Sequence, residues 1–312
     1  MVCDRDFGLS HSARSFAASK QSAVRGQFRQ FNLVGAQLMG LHENLDEFYN
    51  LPVKDFEASG DIRDFLKVAP RVRCRRGSSS TVADHIGGLL AEPGASEIRA
   101  LVLGMWAENG ETIDATPTEA IELLVSNKHK LPNLEALFVG DISSEENEIS
   151  KIQNGDMSPI WPAFPNLRNF RVRGSKGLRL GDINHSSLKT LIIETRGLPA
   201  AVAREAIEAN APIEHLELWF GAKKYGLTTT ISDLDDLLEG KLLPNLKTLA
   251  LYHCDFDEIF ERLVNAVSVR RIEEIHFCWP PFVSPAPLLQ ISRNESYLRS
   301  RAHEVYRKGN GS

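Results

Sequence analysis

Leu131-Pro-Asn-Leu-Glu-Ala-Leu-Phe-Val-Gly140 sets apolar residues at Leu134, Leu137 and Val139, in the order apolar-x-x-apolar-x-apolar. Leu243-Pro-Asn-Leu-Lys-Thr-Leu-Ala-Leu-Tyr252 repeats the phrase. Working outward, seven units align: Ile98/Leu101/Leu103, Leu134/Leu137/Val139, Leu167/Phe170/Val172, Leu188/Leu191/Ile193, Ile213/Leu216/Leu218, Leu246/Leu249/Leu251 and Ile272/Ile275/Phe277. The last two positions of each triplet have the two-residue period of a short strand. The first packs as the chain turns into it.

Helical patterns lie between the units. Thr116-Pro-Thr-Glu119 reads as a capping box, followed by the apolar face Ala120, Ile121, Leu124 and Val125. Ser232-Asp-Leu-Asp235 resembles a second box, and Gly240 supplies a stop. Pro199 to Asn210 presents Val202, Ala206 and Ile207, and Asp255-x-x-Glu258 opens another helix. Val82 to Leu90 reads as a helix despite Gly87 and Gly88. A strand and a helix repeated every 20 to 36 residues is the pattern of an α/β solenoid. The expected form is a horseshoe with parallel strands on the concave face and helices on the convex face.

The flanks differ. Residues 1–40 carry Arg5, Arg14, Lys20, Arg25 and Arg29 with weak periodicity, the composition of a disordered basic tail. The repeat domain is expected over 41–277. At its start, Leu41, Leu45 and Phe48 share a helical face, and Val53 and Phe56 follow in an extended segment, together an N-terminal cap. Residues 278–312 begin with a proline-rich run that excludes an ordinary ladder, and read as a C-terminal cap or irregular tail.

The chain has 312 residues and a net charge of -5, which points toward neither nucleic acid nor an anionic membrane. Four scattered cysteines form no Cys-x-x-Cys pair and suit a reducing, cytoplasmic setting. No apolar run approaches the roughly 18 residues of a membrane helix.

At the triplets the chain resembles leucine-rich-repeat proteins of the helical, ribonuclease-inhibitor-like class, with Cys254 at the cap position of one unit. Three phrases resemble a bacterial cytoplasmic leucine-rich-repeat family of unassigned biochemical role: Ala100-Leu-Val-Leu-Gly-Met-Trp106, Gly140-Asp-Ile-Ser-Ser-Glu-Glu-Asn-Glu-Ile149 and His215-Leu-Glu-Leu-Trp-Phe-Gly221. The asparagine usual at the ninth repeat position is replaced by Trp106, Ile142, Ser175 and Arg196 in four units.

In such a stack the residues between the triplet positions line the concave face. Phe138, Trp219 and Tyr252 are its candidate apolar anchors for a protein partner, and Arg171, Arg173, Glu194 and Glu217 its orienting charges. The four charges also fit a cross-strand ladder that stabilises the sheet. The expected function is a non-catalytic protein-interaction scaffold. One alternative is a hydrolase or transferase with a small site around His215, Glu217 and His276, with Glu274 nearby. Two strands separate these residues, about 10 Å, which is wide for one zinc ion. Another alternative is anion or nucleic-acid binding through Arg71 to Arg76, Arg171 and Arg173, which lacks interleaved aromatics. The bland reading of Arg71, Arg73 and Arg75 is a solvated edge strand. Asp141, Glu145, Glu146 and Glu148 read as a solvated acidic loop. No Gly-x-Ser-x-Gly, His-Glu-x-x-His or P-loop occurs, and no catalytic residue, cofactor or metal is assigned.

Overall fold

Every triplet position described with its side chain is buried, from Ile98 to Ile275. The computed structural model describes residues 43–58, 60–74, 80–106, 115–254, 272–278 and 288–292. The elements below belong to the unit that begins at Asn44. The expectations for residues 1–40, for the helix opened by Asp255 and for Arg75 and Arg76 lie outside the described residues.

The strands are β1 (Glu47–Phe48), β2 (Leu51–Asp55), β3 (Ala69–Val72), β4 (Ala100–Leu103), β5 (Ala136–Val139) and β6 (Asn169–Arg173). They continue with β7 (Thr190–Glu194), β8 (His215–Trp219), β9 (Thr248–Tyr252), β10 (Glu274–Cys278) and β11 (Leu288–Ser292). All join one open α/β sheet in which spatial order follows chain order. β2 to β10 are parallel, while β1 and β11 pair antiparallel at either end.

The register confirms the alignment read from the triplets. Leu101, Leu137, Phe170, Leu191, Leu216, Leu249 and Ile275 pair in one line across seven strands. Leu103, Val139, Val172, Ile193, Leu218, Leu251 and Phe277 form the next. A one-residue slip would turn the whole apolar set to the other face, so the pattern holds the register. Trp161, in the short helix Ile160–Ala163, meets Phe170 edge-on at 4.9 Å, which puts that crossover on the triplet side.

The helices follow the expected faces but not the expected caps. α1 (Val82–Ala91) buries Val82, Ile86, Leu89 and Leu90. Its capping box is Thr81 with Asp84, a shorter acid than the Glu or Gln of the usual motif. α2 (Thr118–Ser126) buries Ala120, Ile121 and Leu124, but it starts after Pro117 and has no side-chain cap. Thr116 instead turns its hydroxyl to Thr118. α3 is the Ile160–Ala163 helix. α4 (Ala200–Ile207) buries Val202, Ala206 and Ile207. Ahead of α5 (Asp235–Leu238), the box forms two residues earlier than expected, with the Asp233 carboxylate accepting from the Thr230 N–H at 2.8 Å. None of these helices is long and apolar enough to cross a membrane.

One expectation at the N-terminal end is corrected. Leu45 and Phe48 do not lie on a helix. They belong to a hairpin whose two-residue turn, Tyr49-Asn50, has positive φ at both positions (56° and 58°). Such turns match the twist of flanking strands. At the other end, within the stretch read as a C-terminal cap or irregular tail, residues 288–292 add β11 against β10.

Candidate partner-binding face

Alternation along each strand gives the sheet a second face, opposite the triplets. In register its central line runs Val102, Phe138, Arg171, Ile192, Glu217, Ala250 and His276. One side carries Ala100, Ala136, Asn169, Thr190, His215, Thr248 and Glu274. The other carries Arg173, Glu194, Trp219 and Tyr252.

The β1–β2 hairpin folds onto the β3–β5 end of this face. Phe48 packs with Ala69, Ala100, Val102, Ala136 and Phe138, and its ring centroid lies 6.0 Å from that of Phe138. The alanines leave room for the incoming ring. Phe138, expected as an exposed anchor, is therefore fully buried beneath the chain's own hairpin.

A charged network ties the hairpin down. Arg71 reaches Asp55 at 2.6 Å and Asp141 at 2.9 Å. Arg73 reaches Asp55 at 2.7 Å and Glu146 at 3.2 Å. The Leu45 N–H donates to the Asp141 carboxylate, and the Asn44 amide donates to the Asp141 carbonyl and to Glu146. Gly140 makes this possible: its φ is +96°, and a Cβ there would lie 2.6 Å from the Arg173 carbonyl. Arg71 and Arg73 are thus not on a solvated edge: β3 lies inside the sheet, and both pair with carboxylates. Asp141 and Glu146 are likewise structural, not a solvated loop. Glu148 does sit toward the surface, with Arg196 and Lys151.

Further along, Arg173 and Glu194 are both buried and paired at 2.8 Å. Arg171 pairs with the same carboxylate and lies over the Phe138 ring, 4.6 Å from its centroid. Arg173 also donates to the Ile142 carbonyl. Burial pushes Glu194 up, but the two guanidinium groups outweigh it and hold the carboxyl below the ordinary range. For Asp141, burial wins over Arg173 and Arg71, and the carboxyl is raised. Asp55, more open, is held low by Arg71 and Arg73 against its own partial burial.

Trp219 and Tyr252 do sit side by side in register, with ring centroids 5.1 Å apart in an edge-on contact. Both are buried, which corrects their expected exposure. Trp219 packs against Tyr252 and His253 and donates its indole N–H to Glu217 at 2.6 Å. His253 is itself buried and carries a positive φ of 54°; burial, with help from Arg196, lowers its pKa to about 4. Cys254 is buried, as its cap position suggests.

What stays partly open is the β6–β10 portion: Asn169, Arg171, Thr190, Ile192, His215, Glu217, Thr248 and Glu274. Of the seven expected partner-binding residues, only Arg171 and Glu217 reach this open part. His215 approaches Glu217 at 3.5 Å, and His276 approaches Glu274 at 3.0 Å, each within its own strand. Among the described residues no group of three His, Cys, Asp or Glu side chains is placed to hold a metal ion. The pairs on β8 and β10 flank β9 and stay apart.

One row escaped the reading of the sequence. The residues just before the strands are Arg99, Glu135, Arg168, Lys189, Glu214, Lys247 and Glu273. The carbonyls of the first six each accept two N–H groups from the next unit. At these strand starts the Arg99 side chain meets Glu135 at 2.6 Å, and Glu214 lies between Lys189 and Lys247. Writing the seven units in register, one residue further back, displays this row.

No family model matches the chain, and no curated protein matches it. A solved structure from Bacteroides fragilis, a target of the Northeast Structural Genomics Consortium, is similar, with a TM-score of 0.60 and 26% identity. The match covers 66% of this chain and 59% of that one, so this chain spans less than two thirds of the neighbour's length.

Proposed function

We propose that this chain is a leucine-rich-repeat-like solenoid of the cytoplasm that binds another protein, without catalysis, through the β6–β10 part of its inner face. The observation that carries this reading is the uneven cover of that face. Its β3–β5 end is filled by the chain's own hairpin, whereas Arg171, Thr190, Ile192, His215, Glu217 and Thr248 remain partly exposed in adjoining register lines. A strip of mixed polar and apolar side chains presented by adjoining strands suits a protein partner. Seven in-register triplets and strands in chain order support the repeat reading.

Arg71, Arg73, Arg171 and Arg173 all pair with carboxylates of the same chain, which favours a protein partner over an anion bound through these four. The test is site-specific photo-crosslinking. A benzoylphenylalanine at Ile192 should trap a discrete protein adduct in native cytosol, while one at the exposed Glu122 of α2 should not. Identical adducts from both positions, or none at Ile192, would overturn the reading.

A further inference from the structure

The carboxylates of this face fall into two groups. Asp55, Asp141, Glu146 and Glu194 each have an arginine of the same chain within ion-pair distance. Glu217 and Glu274 do not: among the described residues their only ion-pair contacts are His215 and His276. Glu217 is nevertheless largely shielded, with 14% of its side chain exposed and one oxygen held by the Trp219 indole. Glu274 is more open, at 45%.

These acids lie on β8 and β10, on either side of β9. The register sets Thr248 between His215 and Glu274, and Ala250 between Glu217 and His276. Ala250 is covered, while Thr248 stays partly exposed. The span from β8 to β10 is two strand spacings, about 10 Å. Neither carboxylate of the strip has a lysine or arginine within ion-pair distance among the described residues. The other end of the face, by contrast, is balanced within itself.

We propose that the β8–β10 strip docks a basic, arginine- or lysine-bearing segment of the partner protein, with a cationic side chain lying across β9 beside Thr248 and facing the diagonal pair Glu217 and Glu274. The inference rests on the protein-binding reading above and assigns the chemistry of the partner. An incoming guanidinium makes charge-assisted hydrogen bonds to these carboxylates and fixes the register of the complex. Thr248 adds a hydroxyl acceptor beside it.

Fluorescence anisotropy with two labelled probes, an alternating Gly-Arg peptide and an alternating Gly-Gln peptide, tests this on the full chain at low salt. The Gly-Arg probe should bind about tenfold or more tightly than the Gly-Gln probe. Glu217→Gln with Glu274→Gln should erase that preference, and Thr248→Arg, which supplies the cation from within, should erase it too. Asp236→Asn with Glu239→Gln, which removes two exposed acids near α5, should leave it intact. Thermal melts of each variant separate loss of binding from loss of fold. An arginine preference absent from the parent chain, or surviving both strip variants, overturns the proposal. If it fails while the Ile192 crosslink persists, the partner is not basic but the face still binds protein. If the crosslink is absent as well, the broader reading falls with it.

Discussion

Glu194 shows how one side chain serves two strands. It accepts from Arg173 across a register pair and also faces Arg171, with essentially no solvent around it. Replacing it by glutamine leaves two guanidinium groups short of a counter-charge in a poorly solvated place. Glu194→Gln is expected to cost about 3 kcal/mol in urea denaturation at neutral pH. The pH dependence has two parts. Glu194 and Asp55 titrate below 4.5 and 3.8, so the stability they contribute is complete above those values and drains away as acid protonates the folded forms. His253 acts earlier. Its folded pKa of about 4 lies below the ordinary 6.5, so the unfolded chain takes the proton first, and stability falls as pH drops from 6.5 toward 4. His253→Asn, which tolerates the positive φ, should flatten that limb of a stability-against-pH curve and leave the steeper one below it. An unchanged slope between those pH values would refute the assignment.

Among the elements, the β1–β2 hairpin contributes most beyond its length. Two strands of two and five residues would not hold together alone. They persist because Phe48 fills a bed of alanines and because Arg71 and Arg73 grip the hairpin from β3. Its turn sets Tyr49 at positive φ, unusual for a bulky residue, with the guanidinium of Arg99 5.8 Å from the ring centre. Phe48→Ala is expected to destabilise the protein by about 3 to 5 kcal/mol, read from the denaturation midpoint. Amide exchange at Val53 and Leu45 should speed up more than exchange in β8 and β9. Uniform acceleration across the sheet would instead mean that the hairpin is an inseparable part of one cooperative unit.

At the scale of the molecule, the sheet is bound at its strand starts by the charge row and through its body by the triplets. Glu214, between Lys189 and Lys247, has its carboxyl lowered to about 2. A carbon-detected NMR titration should find that midpoint at low ionic strength and an upward move in high salt, since the trio is exposed to screening ions. A midpoint near 4.5 at low salt would show the row to be unpaired in solution.

The strands, their parallel order and their register were legible because period two and the triplet spacing report burial directly. The faces of α1, α2 and α4 were legible for the same reason. The hairpin was not: Leu45 and Phe48 fit a helical spacing, and only contact with distant Ala69, Ala100 and Phe138 settles their conformation. The face residues were half legible. Their side of the sheet and their neighbours followed from alternation, but their exposure did not. Burial of Phe138 depends on a segment some 90 positions away in the chain, and burial of Trp219 and Tyr252 on each other and on His253. Local pattern carries no record of such cover.

The bond from the Leu45 N–H to Asp141 also limits how such a chain can change in length. It spans β3, β4 and β5, so a unit duplicated within that block would carry Asp141 one strand spacing, about 4.8 Å, away from its donor. A unit duplicated beyond β6 would leave that bond untouched. Only a change in repeat number within the stretch that carries the open strip is compatible with keeping that bond, and with it the hairpin end as it stands.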